Sequence, residues 1–255
     1  MDLDLAQRAF LITGGTDGLG LALAKKLVDE GARVAVCGRN VERLDAAQAL
    51  LGENALCFQA DVTDAAQLDD FIDTTLARFS RLDGAVNNAG RSAGFPIASA
   101  DEEQWREDYE LKVISAVHVT RRVLDALEAT SGSVLNVLAI MARTPPASST
   151  PTAASRAAGL AFTKALAAEV GPRGIRANAV LIGLIESGQW VRRAADAGVE
   201  LPEFYAALAA RSNIPLGRLG RAEEFADLAA FLLSPRASYL TGVGISLDGG
   251  LSPVI

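Results

Sequence analysis

Short apolar runs alternate with longer helical patterns from one end of the chain to the other, and this rhythm limits the fold more than any single residue does. AFLIT precedes a helical stretch over 19–30, RVAVC precedes one over 41–51, and ALCFQ precedes one over 65–79. GAVNN, SVLNVL and RANAVLI continue the series, with a long helix over about 102–129 and another over 152–170 between them. A looser segment over 186–215, a helix over 221–233 and a closing strand GISL complete it. A strand that needs a helical crossover before its neighbour pairs in parallel. The prediction is therefore an α/β fold, a doubly wound parallel sheet of about seven strands with helices on both faces. The rhythm is unbroken over 1–255, so one domain is expected. Gly31 reads as a helix stop, and Asp64 with Gln67 three residues on reads as a capping-box start. The stretch RTPPASSTP is a loop, because the alternation resumes directly after it.

The chain carries a formal charge of −7 in 255 residues. It has no overall positive field for nucleic acid or an anionic membrane, so neither is expected as a partner. Asp2 and Asp4 stand where a secretory leader needs basic residues, and no apolar run is long enough for a bilayer, which reads as a cytoplasmic protein. Cys37 and Cys57 lie in strand-like runs and read as buried thiols, without a disulfide or zinc site.

LITGGTDGLG places Gly14, Gly15, Gly18 and Gly20 between a strand and a helix. Glycine there lets the backbone approach a diphosphate, and the helix start offers unpaired N–H donors. The spacing departs from G-x-G-x-x-G, so a tight turn alone also explains it. Other motifs accompany it: Asp61-Val62 after the third strand, NNAG at Asn87 to Gly90 after the fourth, and GPRGIRANAV at 171–180. Together they resemble the short-chain dehydrogenase/reductase family, from the first strand to LDGG at 247–250.

That resemblance implies a Rossmann-type fold and a nicotinamide cofactor. Thr13, Gly14, Gly18 and Gly20 would hold the diphosphate, Asp61 with Val62 the adenine, and Asn87, Ala89 and Gly90 the adenosine side, while Ile185 and Ser187 would meet the carboxamide. The residues after the second strand are Gly38 and Arg39, without the acid that pairs with ribose hydroxyls in NAD-preferring members. A guanidinium suits a 2′-phosphate, which favours NADP(H) over NAD(H). Asp17 opposes this, since its carboxylate repels that phosphate. A chain that keeps these residues for packing and binds neither cofactor stays open.

The family's catalytic set is replaced throughout. Its Tyr and Lys positions fall on Thr152 and Arg156, its Ser on Ala139 and its Asn on Lys112, and no Tyr-x-x-x-Lys occurs anywhere in the chain. A threonine hydroxyl is a far poorer proton donor than a phenol, and a guanidinium cannot exchange its proton. Arg156 would still reach the cofactor ribose. The expectation is a non-catalytic subunit that assembles with itself or with a related active member of the family, through the helix over 152–170 and the C-terminal strand. The alternative is an oxidoreductase for a carbonyl/alcohol pair that uses unorthodox groups, such as Tyr205 with Lys112 or a residue of Ser148 to Thr150. Residues 186–215 would fold over the substrate, with Tyr205, Trp190 and Phe204 packed inside that lid. His118 reads as a core or interface residue.

Overall fold

The computed structural model describes residues 2–254. Seven parallel strands form one sheet in the order β3-β2-β1-β4-β5-β6-β7. They are β1 (Ala9–Thr13), β2 (Arg33–Gly38), β3 (Ala55–Gln59), β4 (Gly84–Asn87), β5 (Ser133–Ala139), β6 (Arg176–Ile182) and β7 (Gly244–Leu247). Between them run α1 (Gly18–Asp29), α2 (Val41–Leu51), α3 (Ala65–Phe79), α4 (Glu102–Tyr109), α5 (Ser115–Glu128) and α6 (Thr150–Val170). After β6 come α7 (Gly188–Ala197), α8 (Leu201–Arg211) and α9 (Ala222–Leu233).

β1 shows why AFLIT reads as a continuous apolar run. Successive side chains of a strand point to opposite faces, and a parallel sheet is covered on both. Phe10 and Ile12 face one core with Leu23 and Leu27 of α1 and Phe225 of α9. Ala9 and Leu11 face the other, with Phe71 and Ile72 of α3, Val119 of α5 and Leu166 of α6. Each fully buried large side chain contributes about 1.5–3 kcal/mol relative to exposure.

The helix ends follow local chemistry. The Asp64 carboxylate accepts from the N–H groups of Ala66 and Gln67 at 3.0 and 3.2 Å, and Ser80 closes α3 in the left-handed region at φ 57°. The capping box expected there is only half formed. The Gln67 amide oxygen instead accepts from the Asp61 N–H at 2.9 Å, which fixes the turn after β3. The helix expected over 102–129 is interrupted: α4 and α5 are joined by a π turn over Glu110–Ile114, with the Ser115 N–H bonded to the Glu110 carbonyl. The looser segment resolves into α7 and α8, separated by Gly198 at φ 65°, with Pro202 in the first turn of α8. Trp190, Leu208 and Ile214 form a small core of their own, against which Phe204 and Tyr205 pack.

Both cysteines are free; Cys37 is buried and Cys57 half-buried. Burial pushes their thiols up to about 12 and about 11. Among the described residues no helix is long and apolar enough to cross a membrane.

Candidate active site

The strand order reverses between β1 and β4, and in open α/β sheets that reversal leaves a crevice at the carboxyl ends of the strands. The chain has a cleft of about 890 Å³ there. Thr13 sews its floor together: its hydroxyl oxygen accepts from the N–H groups of Asn88 and Ala89, both at 3.1 Å. Asn88 returns two bonds from its amide nitrogen, to the carbonyls of Thr13 and Gly14 at 3.0 and 2.9 Å.

The glycines of the loop divide their work. A Cβ on Gly20 would stand 2.4 Å from the Gly14 carbonyl oxygen, and one on Gly14, at φ +66°, would stand 2.9 Å from the Ala89 Cα. Both are required for packing. Gly18, at φ +54°, faces open space on the cleft wall, and any side chain there would enter the cradle at the start of α1.

At the far end of the cleft two ion pairs meet. Arg39 reaches Asp61 at 3.4 Å, and Arg43, from the first turn of α2, reaches Asp17 at 3.0 Å. The other Asp17 oxygen accepts from the Gly18 N–H at 2.7 Å. Burial alone would raise the Asp61 pKa, but bonds from the Thr63 N–H and hydroxyl, together with Arg39, bring it below the usual carboxylate range. Arg43 was not singled out in the sequence, and it answers the objection that Asp17 raised: this carboxylate has a guanidinium of its own. Val62, Ala89 and Gly90 line the walls, and the Asn87 amide donates to the Asn136 side chain at 2.8 Å with its own oxygen buried and unpaired. Ile185 departs from expectation. Its side chain is buried in the core, and its backbone bridges to Gly220, while Ser187 does line the cleft.

Three of the four replaced positions, Lys112, Thr152 and Arg156, come together at the catalytic end. Lys112 lies in the middle of the π turn, and its ammonium donates to Asp108 of α4 and to the Thr152 hydroxyl, the latter at 2.8 Å. The second Asp108 oxygen accepts from the Ser155 hydroxyl at 2.5 Å. Asp108 and Thr152 are each only 1% exposed. Above Thr152, the Thr150 hydroxyl donates to the Phe95 carbonyl at 3.0 Å and ties down the loop after β4. Lys112 and Arg156 line the cleft. Burial, reinforced by the Arg156 charge and more weakly by Arg91, brings the Lys112 ammonium down to about 8 against the pull of Asp108. Burial likewise lowers Arg156, whose Nε is buried without a partner. Ala139 is buried and contributes a methyl, as the sequence already implied.

The sequence missed Asp108 and Ser155. Asp108 could have been found, since an acid four residues before a lysine on a helix is a standard pair. Tyr205 does not join Lys112. It packs among the α7–α8 residues, where burial and then Glu186 raise its pKa. His118 is not a core residue: partly exposed on α5, it meets Asp69 of α3 at 3.0 Å, away from the cleft. Among the described residues no cluster of His, Cys, Asp and Glu could hold a metal ion.

The residues fit a dinucleotide. An orphaned buried guanidinium nitrogen, an open glycine cradle at a helix start and two arginines at the far end are a donor set for ribose and phosphate oxygens.

Residues 14–252 match the family model described as enoyl-(acyl carrier protein) reductase. The chain is 38% identical over 247 residues to a protein of Streptomyces violaceoruber named as ketoacyl reductase 2 of the granaticin polyketide synthase, with 94% of each covered. It is 33% identical to the 3-oxoacyl-(acyl-carrier-protein) reductase of Chlamydia pneumoniae, over 99% of this chain and 100% of that one. Among solved structures, a short-chain oxidoreductase from Pseudomonas aeruginosa PAO1, described as containing an atypical catalytic center, matches in its apo form at TM-score 0.94 and 36% identity. That match covers 99% of this chain and 100% of that one. Its NADPH-bound form matches at TM-score 0.93 and 37% identity, with 99% of each covered.

Proposed function

The chain belongs to the short-chain dehydrogenase/reductase family, and on that premise we propose that it is an NADP(H)-dependent oxidoreductase for a carbonyl/alcohol pair in which Lys112 takes over the phenol's proton. One observation carries the reading. An ammonium has three N–H donors, and Asp108 and Thr152 engage two, which leaves the third for a substrate oxygen in the cleft.

In this reading the nicotinamide, when bound, supplies or accepts a hydride. Arg156 offers its unpaired Nε to a ribose hydroxyl, and Arg39 and Arg43 offer a fork to the 2′-phosphate. Thr152 orients the amine by accepting from it. During reduction Lys112 gives its proton to the developing alkoxide and is left as the neutral amine; solvent restores the proton. A donor near pKa 8 is well matched to neutral pH, as a general acid should be. The α7–α8 segment, residues 186–215, closes over the substrate. The NADPH-bound relative and the reductase names of the other relatives support the cofactor and the direction.

Ala139 supports a second reading. Without a hydroxyl there, the oxygen is steadied by Lys112 alone, which suits a non-catalytic subunit that assembles with itself or with an active family member.

The test is a titration with NADPH and with NADH by nicotinamide fluorescence, followed by NADPH oxidation with a panel of ketones and acyl thioester ketones. NADPH is expected to bind more tightly, and the wild type to turn over at a rate that falls as pH rises through about 8. Lys112→Met is expected to bind NADPH without turnover. Saturable binding with no turnover on any carbonyl in the wild type would overturn the enzyme reading in favour of the second.

A further inference from the structure

The proton carrier is itself held by groups with no place in the family's catalytic set. Asp108 is a buried carboxylate on α4, and neither of its oxygens is free: Oδ1 accepts from Lys112, and Oδ2 accepts from Ser155 of α6 at 2.5 Å. The Ser155 hydroxyl also lies 3.2 Å from the Thr152 carbonyl, but its single proton goes with the shorter contact. Ser155 is 1% exposed, so solvent does not compete.

The charges around the site call for a carboxylate at this point. Lys112 faces Arg156 from α6 and, more distantly, Arg91 from the loop after β4, and both disfavour its ammonium form. Arg91 is matched by Glu107 at 2.5 Å, whereas the charge favouring the buried Arg156 is Asp108. Two buried cations thus share one buried anion, which Ser155 pins from the neighbouring helix. A lysine without that anion would neutralise rather than stay charged in such surroundings.

We infer that Asp108, fixed by Ser155, is the positioning residue that keeps the Lys112 ammonium charged and held in place at the cleft wall. The inference rests on Lys112 as proton carrier. Asp108 does not touch the substrate; it sets the pH below which its neighbour can act as an acid.

The experiment is competitive labelling of the intact protein with acetic anhydride at a series of pH values, reading acetylation of Lys112 by mass spectrometry. The variants are Asp108→Asn, which keeps one acceptor oxygen and removes the charge, and Asp108→Glu, which keeps the charge. An opposite charge in contact shifts a neighbour by about one to three pH units. The Asp108→Asn midpoint is therefore expected at least one unit below wild type, with the neutral, reactive fraction of Lys112 at pH 7 raised about fivefold or more. Asp108→Glu is expected within half a unit of wild type. Should Asp108→Asn not fold, Asp108→Ser gives the same reading. A midpoint unmoved by loss of the carboxylate would overturn the inference, whatever the turnover. A shifted midpoint in a protein without turnover would uphold it and sink the enzyme reading instead.

Discussion

Replacing Lys112 by methionine tests the buried ammonium through folding, independently of any substrate. Lys112 titrates at about 8 in the folded chain against an ordinary 10.5. At about 1.4 kcal/mol per tenfold change in proton affinity, holding the proton in the fold costs about 3 kcal/mol, as an order of magnitude. The sign follows from which state holds more protons. Below about pH 8 both states are protonated and the folded one bears the whole cost; above 10.5 both are neutral and the cost is gone. Between those limits the unfolded chain binds more protons, so this residue's contribution to stability rises with pH. Lys112→Met lacks that titration. Urea unfolding of both proteins at pH 7, 8, 9, 10 and 11 is expected to show the wild type gaining about 3 kcal/mol on the variant across the series, whatever the fixed packing offset between them. Differences that stay constant within about 1 kcal/mol would show that Lys112 keeps an ordinary lysine affinity, and the desolvation argument would fail.

Two further predictions concern the cofactor end. Arg43→Ala removes a guanidinium from the 2′-phosphate side and is expected to weaken NADPH about tenfold, by roughly 1.4 kcal/mol, with NADH unchanged; equal losses for both cofactors would place Arg43 elsewhere. Gly20→Ala puts a Cβ 2.4 Å from the Gly14 carbonyl oxygen, so NADPH binding measured by fluorescence is expected to disappear or the protein to fail to fold; undiminished binding would mean that the loop shifts freely.

The strands AFLIT, ALCFQ, RANAVLI and GISL were legible to the residue, because short runs rich in apolar residues alternate with helical patterns in a parallel sheet, most plainly in the fully buried AFLIT. The π turn was not legible, since one extra residue in a helix leaves no gap in an apolar pattern. The candidate site was legible by position and not by chemistry. Lys112, Ala139, Thr152 and Arg156 were named, but matched residue by residue they read as losses. The structure adds that Lys112 and Thr152 are bonded to each other, with Arg156 beside them in the cleft wall. Ser155 stayed invisible because its partner Asp108 is 47 positions away, a pairing that only helix packing creates. Ile185 was hidden for a similar reason: its backbone bridges to the distant Gly220, and its side chain is buried in the core.

The shared anion at the catalytic end also shapes which sequences this chain can reach. Suppose the four replaced positions were returned one at a time to the family's residues. Lys112→Asn would leave Asp108 with Arg156 as its remaining cation, and an apolar residue at 108 would strand two buried charges, a change of the kind that costs about 3–5 kcal/mol. Thr152→Tyr would drive a ring into a position that is 1% exposed beneath the tied-down loop. Changes at these positions are therefore coupled, because residues in contact do not contribute additively. A lineage that acquired Lys112 and Asp108 together is held in that state by its own core, and laboratory evolution toward a phenol-based site would have to change both helices at once.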